Sequence, residues 1–127
     1  MENQKSAIGL DGNITALLGY IIGIVALVLI FIEKDNKFVR FHALQSVLWS
    51  VCMFVTIIVV MIIGGILAFA LGQASGALGS IVGLIVVLLY VGLLLALVGG
   101  LIYGAIQGFG GKMTKLPIVG NFAEKWV

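Results

Sequence analysis

The side chains with chemistry to offer are few and lie close together. His42, Gln45 and Ser46 follow one another in Lys37-Phe38-Val39-Arg40-Phe41-His42-Ala43-Leu44-Gln45-Ser46. At about 3.6 residues per helical turn, His42, Gln45, Ser46, Trp49 and Thr56 fall broadly on one face. Tyr103 and Gln107 are four apart and neighbours on a face of a later stretch. With Arg40 these give a candidate polar cluster of Arg40, His42, Gln45, Ser46, Tyr103 and Gln107. Such a cluster could be a polar pocket, or a proton or ion path with His42 at its mouth. It could equally be a hydrogen-bonded knot that fixes helix register, the commoner role of a lone histidine near a helix end. Ser46 and His42 have the i, i+4 spacing of a nucleophile and base, but no third group is evident to orient the imidazole. No second histidine or cysteine stands at ligand spacing, so no metal site is assigned. Paired carboxylates are also missing, and neither catalytic nor cofactor-binding residues are assigned. The chain is expected not to be an enzyme and to need no cofactor.

These residues sit in a chain of 127 residues that is 62% hydrophobic and 9% charged, with a mean hydropathy of +1.29. Soluble domains carry about 25% charged residues. Three apolar runs are long enough to cross the bilayer: about 14–32, 43–71 and 78–109. The expected fold class is therefore all-α: an integral membrane protein, one domain of three transmembrane helices plus a short amphipathic C-terminal helix. The first run leads straight into a charged turn without a small-residue cleavage pattern, so it is read as a retained span. The net charge of +2 is too small to suggest nucleic-acid binding. The single cysteine, Cys52, lies inside an apolar run and is read as a packing residue.

Between the spans the signals are local. Asp11 or Asn13 could cap the first helix. Glu33-Lys34-Asp35-Asn36-Lys37 is expected in water or headgroups, where Arg40 could pair with Glu33 or Asp35 or bind lipid phosphate. Gly72-Gln73-Ala74-Ser75-Gly76 interrupts the pattern. The second and third helices exceed a perpendicular span and must tilt or project. Gly110-Gly111 is a natural helix stop. The tail 116–127 reads as an interfacial helix with Pro117 in its first turn. Ile118, Phe122 and Trp126 form its apolar stripe. This tail is expected to pack on Phe38–Gln45, with Phe122 and Trp126 covering Phe38 and Phe41.

Three spans place the N-terminus and second loop on one side, with Lys5 alone. The first loop and C-tail share the other, with Lys34, Lys37, Arg40, Lys112, Lys115 and Lys125. The positive-inside rule then puts the first loop and C-terminus in the cytoplasm and the N-terminus outside a multi-pass cell membrane protein. Small residues four apart allow close helix approach in lipid. Gly19 and Gly23, Gly79 and Gly83, and Gly100, Gly104 and Gly108 have that spacing. They serve packing within one chain or a homo-oligomer seam.

Two stretches carry a family likeness: Glu33 to Ser46, with its Phe-x-Arg-Phe-His and Gln-Ser, and Lys115 to Trp126. With Ala16-Leu17-Leu18-Gly19-Tyr20 they resemble a family of small, largely uncharacterised prokaryotic membrane proteins. That family is grouped with the Tic-twenty-like family, named for a chloroplast inner-envelope import component. The resemblance runs from about Leu10 to Trp126. It implies an accessory or scaffold role in membrane assembly or translocation. The composition also allows a small homo-oligomeric channel or transporter. Expected partners are the lipid bilayer and either a membrane protein or further copies of the chain.

Overall fold

In Gly19-Tyr20-Ile21-Ile22-Gly23, two glycines bracket two β-branched residues in the middle of the first apolar run. Glycine costs a helix interior about 1 kcal/mol, and β-branching lowers propensity further. The computed structural model describes residues 4–127, and the run breaks at this point. Helix α1 covers Gly12–Ile21 and α2 covers Gly23–Ile32, with Ile22 extended between them at φ −116°, ψ 97°. A Cβ built on Gly19 would lie 3.7 Å from that of Ala26, whereas residues seven apart in one helix are separated by about 10 Å. The chain has folded back. Each arm is about 15 Å long, half of the roughly 30 Å hydrocarbon core. The run 14–32 is thus a helical hairpin and not the single span expected.

Hydrogen bonds close the open end of this hairpin. Glu33 accepts from the amides of Ala7 at 2.6 Å and Asn36 at 3.1 Å. The Asn36 side chain donates to the Gln4 carbonyl at 2.9 Å. Glu33 and Asn36 are only 2% and 3% exposed. They were expected in water or headgroups, but a carboxylate and an amide can be buried when their valences are filled. The segment before α1 therefore lies at the same end as the 33–36 turn. A first helix that crossed the bilayer would have separated them. Asp11 stands at the α1 N-cap position without a side-chain cap, because its carboxylate pairs with Lys5. Asn13 donates to the Phe109 carbonyl at 3.2 Å.

Asn36 also starts α3, Lys37–Ala74, by accepting the Val39 amide at 3.2 Å, an N-cap bond. α3 runs unbroken through Gly64-Gly65. Ser75 alone separates it from α4, Gly76–Phe109, and its hydroxyl accepts the Leu78 amide at 3.4 Å. α4 passes Gly99-Gly100 without interruption. It ends in a Schellman motif: Gly111 has φ +78°, its amide bonds the Gly108 carbonyl at 3.1 Å, and Lys112 bonds the Gln107 carbonyl at 2.9 Å. The tail helix α5 is shorter than expected, Val119–Lys125. Pro117 precedes it, and Ile118 takes a left-handed φ of 69°.

By internal packing the chain forms two units. One is Val51–Val98 and the other is the chain up to Ser50 with Gly99–Val127. The first contains no charged residue. Within it Gly64 faces Val86 and Gly79 faces Gly72, and neither Gly64 nor Gly79 has room for a side chain. Phe54, Ile62, Phe69, Leu84 and Leu88 point outward, an apolar surface that monomers in water do not carry. α3 and α4 are each long and apolar enough to cross a membrane. At 38 and 34 residues they measure about 57 and 51 Å.

The second unit holds the buried polar groups. Ala16, Ala26, Leu29, Phe38, Val39 and Ala43 pack together. Tyr20, Ala105, Leu116 and Val119 form a second cluster. Phe41, Leu44 and Ala123 form a third. The tail thus docks on the Phe38–Gln45 segment through small and aliphatic residues. Its stripe faces outward, with Ile118, Phe122 and Trp126 at 76%, 51% and 58% exposure. Of the tail, Ala123 is the buried residue that packs with Phe41 and Leu44, where Phe122 and Trp126 are expected to cover Phe38 and Phe41.

The folded-back hairpin has a direct test. Spin labels at Gln4→Cys and Lys34→Cys, in a Cys52→Ser background, should lie within about 25 Å in nanodiscs. A first helix crossing the bilayer would hold them beyond about 30 Å.

Candidate functional site

His42, Gln45 and Ser46 occupy one face of α3 at i, i+3 and i+4, and all are buried. Their geometry sets the protons. The Lys112 carbonyl can only accept, so His42 Nε2, 2.9 Å away, carries a hydrogen and donates. His42 Nδ1 then accepts from the Tyr20 hydroxyl at 2.8 Å. Tyr20 Oη in turn accepts from Gln45 Nε2 at 2.8 Å. The second hydrogen of that amide goes to the Thr114 carbonyl at 3.0 Å. Gln45 Oε1 accepts the Leu116 amide at 2.7 Å. Ser46 Oγ donates to the Gly19 carbonyl at 2.9 Å. One continuous network therefore joins α1, α3 and the chain after α4.

Aromatic rings enclose the imidazole. Phe38, Phe41 and Tyr20 lie with centroids 4.6, 5.1 and 5.5 Å from it, all edge-on, the favoured aromatic arrangement. Next to the network, Thr15 donates to the Asp11 carbonyl at 3.0 Å and shares a 2.8 Å bond with Ser6. The hydroxyl of Ser46 turns to a backbone carbonyl and not to His42, so the pair has no nucleophile–base geometry. Among the described residues no three of His, Cys, Asp and Glu stand together as a metal site would need.

The six residues expected to cluster separate into groups. His42, Gln45 and Ser46 come together. Gln107 reaches the edge, accepting from Thr114 Oγ1 at 3.3 Å. Tyr103 is 47% exposed and outside the network. Arg40 lies on another face of α3, and its Nε is shielded without a hydrogen-bond partner. Its expected pairing with Glu33 or Asp35 is not formed, since Glu33 holds two amides. The ion pairs among the described residues are Lys5–Asp11 and Lys115–Glu124. Thr56 donates to the Cys52 carbonyl at 2.7 Å. Cys52 is exposed, unlike the packing residue expected. Tyr20 is the partner that sequence reasoning missed. Its signal was available, since Tyr20 and Thr15 are the only hydroxyls between Ile14 and Ile32.

The glycines of α4 make room for this site. A Cβ on Gly100 would come within 2.3 Å of Trp49, on Gly104 within 2.4 Å of Tyr20, and on Gly108 within 3.1 Å of Ala16. A Cβ on Gly79 would come within 2.6 Å of Gly72, and one on Gly19 would make ordinary contact with Ala26 at 3.7 Å. Gly23 and Gly83 face open space within this chain.

Residues 4–123 match the model of the magnetosome magnetite crystal formation protein family, MamF/MmsF. The chain belongs to that family. It is also similar to the UPF0132 membrane protein MJ1443 of Methanocaldococcus jannaschii, 47% identical over 45 residues. That match covers 35% of this chain and 41% of the relative's length. No solved structure matches. Both findings support a family of small prokaryotic membrane proteins, and neither carries the name of the chloroplast import component.

Two sets of variants check the site. Tyr20→Phe and Gln45→Ala should each lower stability in detergent by about 1–3 kcal/mol, because each orphans buried partners. The double variant should fall short of the sum, with a coupling of about 0.5–3 kcal/mol. Additive losses in thermal melts would show that the two side chains do not act as one network. Gly104→Ala should cost about 1–3 kcal/mol by overpacking against Tyr20, while Gly92→Ala, which meets nothing within 4 Å, should be neutral or slightly stabilising.

Proposed function

We propose that this protein is a non-enzymatic membrane scaffold with two spans, α3 and α4, and a head, the unit up to Ser50 with Gly99–Val127, for a membrane-protein partner. One observation carries this reading. The buried side chains of the His42 network satisfy one another, from Lys112 through His42, Tyr20 and Gln45 to Leu116. A catalytic or conducting site keeps a donor or acceptor for its substrate, and this network is closed.

Topology follows from the same head. Two crossings return the chain to the side it left, so the residues before α3 and after α4 share one side. Lys5, Lys34, Lys37, Arg40, Lys112, Lys115 and Lys125, all the basic residues of the chain, then lie together. The positive-inside rule makes that side the cytoplasm, with both termini there. This reading removes the one lysine that a three-span arrangement leaves outside.

The family's name refers to magnetite crystal formation. In that setting the chain would serve as a membrane element of the assembly more readily than as a mineral-binding surface. Three acidic side chains support this, since Asp11 and Glu124 are engaged by lysines and Glu33 by backbone amides, while Asp35 is exposed. The translocation role implied by the import-component likeness rests on that likeness alone.

The test is the native mass of the full chain released in gentle detergent, with co-purifying proteins identified. A defined hetero-complex is expected. A homo-oligomer without partners would overturn the scaffold reading in favour of a channel.

A further inference from the structure

One charged group in the head has capacity to spare. Arg40 has an Nε that is shielded from solvent and bonded to nothing, and no carboxylate pairs with it among the described residues. An unmade hydrogen bond at a shielded nitrogen is costly, while the Arg40 residue as a whole remains partly exposed. The arginine lines a groove of about 560 Å³ whose other walls are Ile30, Leu44, Val47, Leu48 and Trp126. That volume lies within the roughly 300–1,000 Å³ of ligand sites.

The order of residues along the groove indicates an occupant. Lys37, Arg40, Leu44, Val47 and Leu48 fall on one face of α3. Read down the helix from Arg40, the charged residue of the groove wall, aliphatic side chains follow over about 12 Å, and Lys37 lies about one turn before Arg40. Trp126, an amphipathic ring of the kind enriched at membrane interfaces, stands at the wall. A charged head above an apolar tail, in that order, is the profile of an anionic phospholipid. We infer that this groove binds one such lipid, with its phosphate on the Arg40 guanidinium and an acyl chain along Leu44, Val47 and Leu48. The inference requires that the chain be membrane-embedded and is independent of whether it has a protein partner.

The experiment is native mass spectrometry of the full-length protein in detergent, titrated with phosphatidylglycerol or phosphatidylcholine of equal chain length. Wild type should retain one phosphatidylglycerol in preference. Arg40→Gln should lower that affinity about five-fold, the effect of one cation near a headgroup, and should lower phosphatidylcholine binding less, because the choline cation offsets its phosphate. Val47→Trp, which fills the groove and leaves the charge, should weaken both lipids. Lys5→Gln should change neither. Thermal melts confirm that each variant is folded, and if Arg40→Gln fails to fold, the Val47→Trp arm decides alone. Equal binding of the two lipids by wild type, or full retention by Arg40→Gln or Val47→Trp, overturns the proposal. So does inorganic phosphate displacing the lipid, which would assign Arg40 to a free anion.

Discussion

The structure of the head depends on filling the hydrogen-bonding positions of one buried amide. Gln45 donates twice and accepts once, to a phenol on α1 and to two backbone positions beyond α4. A polar group buried without partners costs more than a made bond returns, so the amide restricts where its partners can be. Tyr20 must present its oxygen and the 112–116 segment must pass alongside. Gly104 must lack a side chain, because the Tyr20 ring occupies the place where a Cβ would project. Gly120 obeys the same constraint, with Gln45 Oε1 and Lys115 where its Cβ would be. The aliphatic clusters pack around this arrangement and stabilise it, but apolar contacts are not directional and do not choose it.

What could be read from the sequence divides along the same line. Apolar length and missing charge are composition signals, and they located α3 and α4 with their long reach. The Gly110-Gly111 stop was legible because a left-handed residue at a helix end has a local chemical signature. The inward face of His42, Gln45 and Ser46 followed from helical spacing. Their partner did not. Tyr103 and Tyr20 are equally plausible phenols until the α1–α2 turn is known, and that turn depends on tertiary contacts of Glu33 and Asn36. Those contacts also explain why Glu33 and Asn36 of the charged turn are buried and not in water or headgroups. Exposure was inferred from residue type, whereas Glu33 is buried because backbone amides from two segments converge on it.

One local break then changes the global reading. As a single helix, the run 14–32 makes the number of crossings odd and separates Lys5 from the other basic residues. As a hairpin whose ends are tied by Ala7–Glu33 and Gln4–Asn36, it keeps both ends together. Nothing in the hydropathy of Ile21 and Ile22 distinguishes the two cases, since an isoleucine is as apolar in an extended turn as in a helix. The distinguishing signals are the glycines on either side and the hydrogen-bonding residues at the two ends. They act together, because a break without a closed end would leave amides and a carboxylate unpaired at the head.

Family membership and geometry constrain function from different directions. The family match covers nearly the whole chain and fixes its kind, while a shared fold leaves chemistry open. Geometry narrows the chemistry by asking which groups have bonding capacity left. His42, the residue whose type most invites a catalytic reading, has both ring nitrogens engaged and three aromatic rings around it. Recruiting it to proton transfer would mean breaking a bond that holds α1 or the tail in place. Arg40 is in the opposite condition, with a charge that folding has not used. His42 is buried with both ring nitrogens bonded, whereas Arg40 keeps an unbonded nitrogen beside an apolar groove.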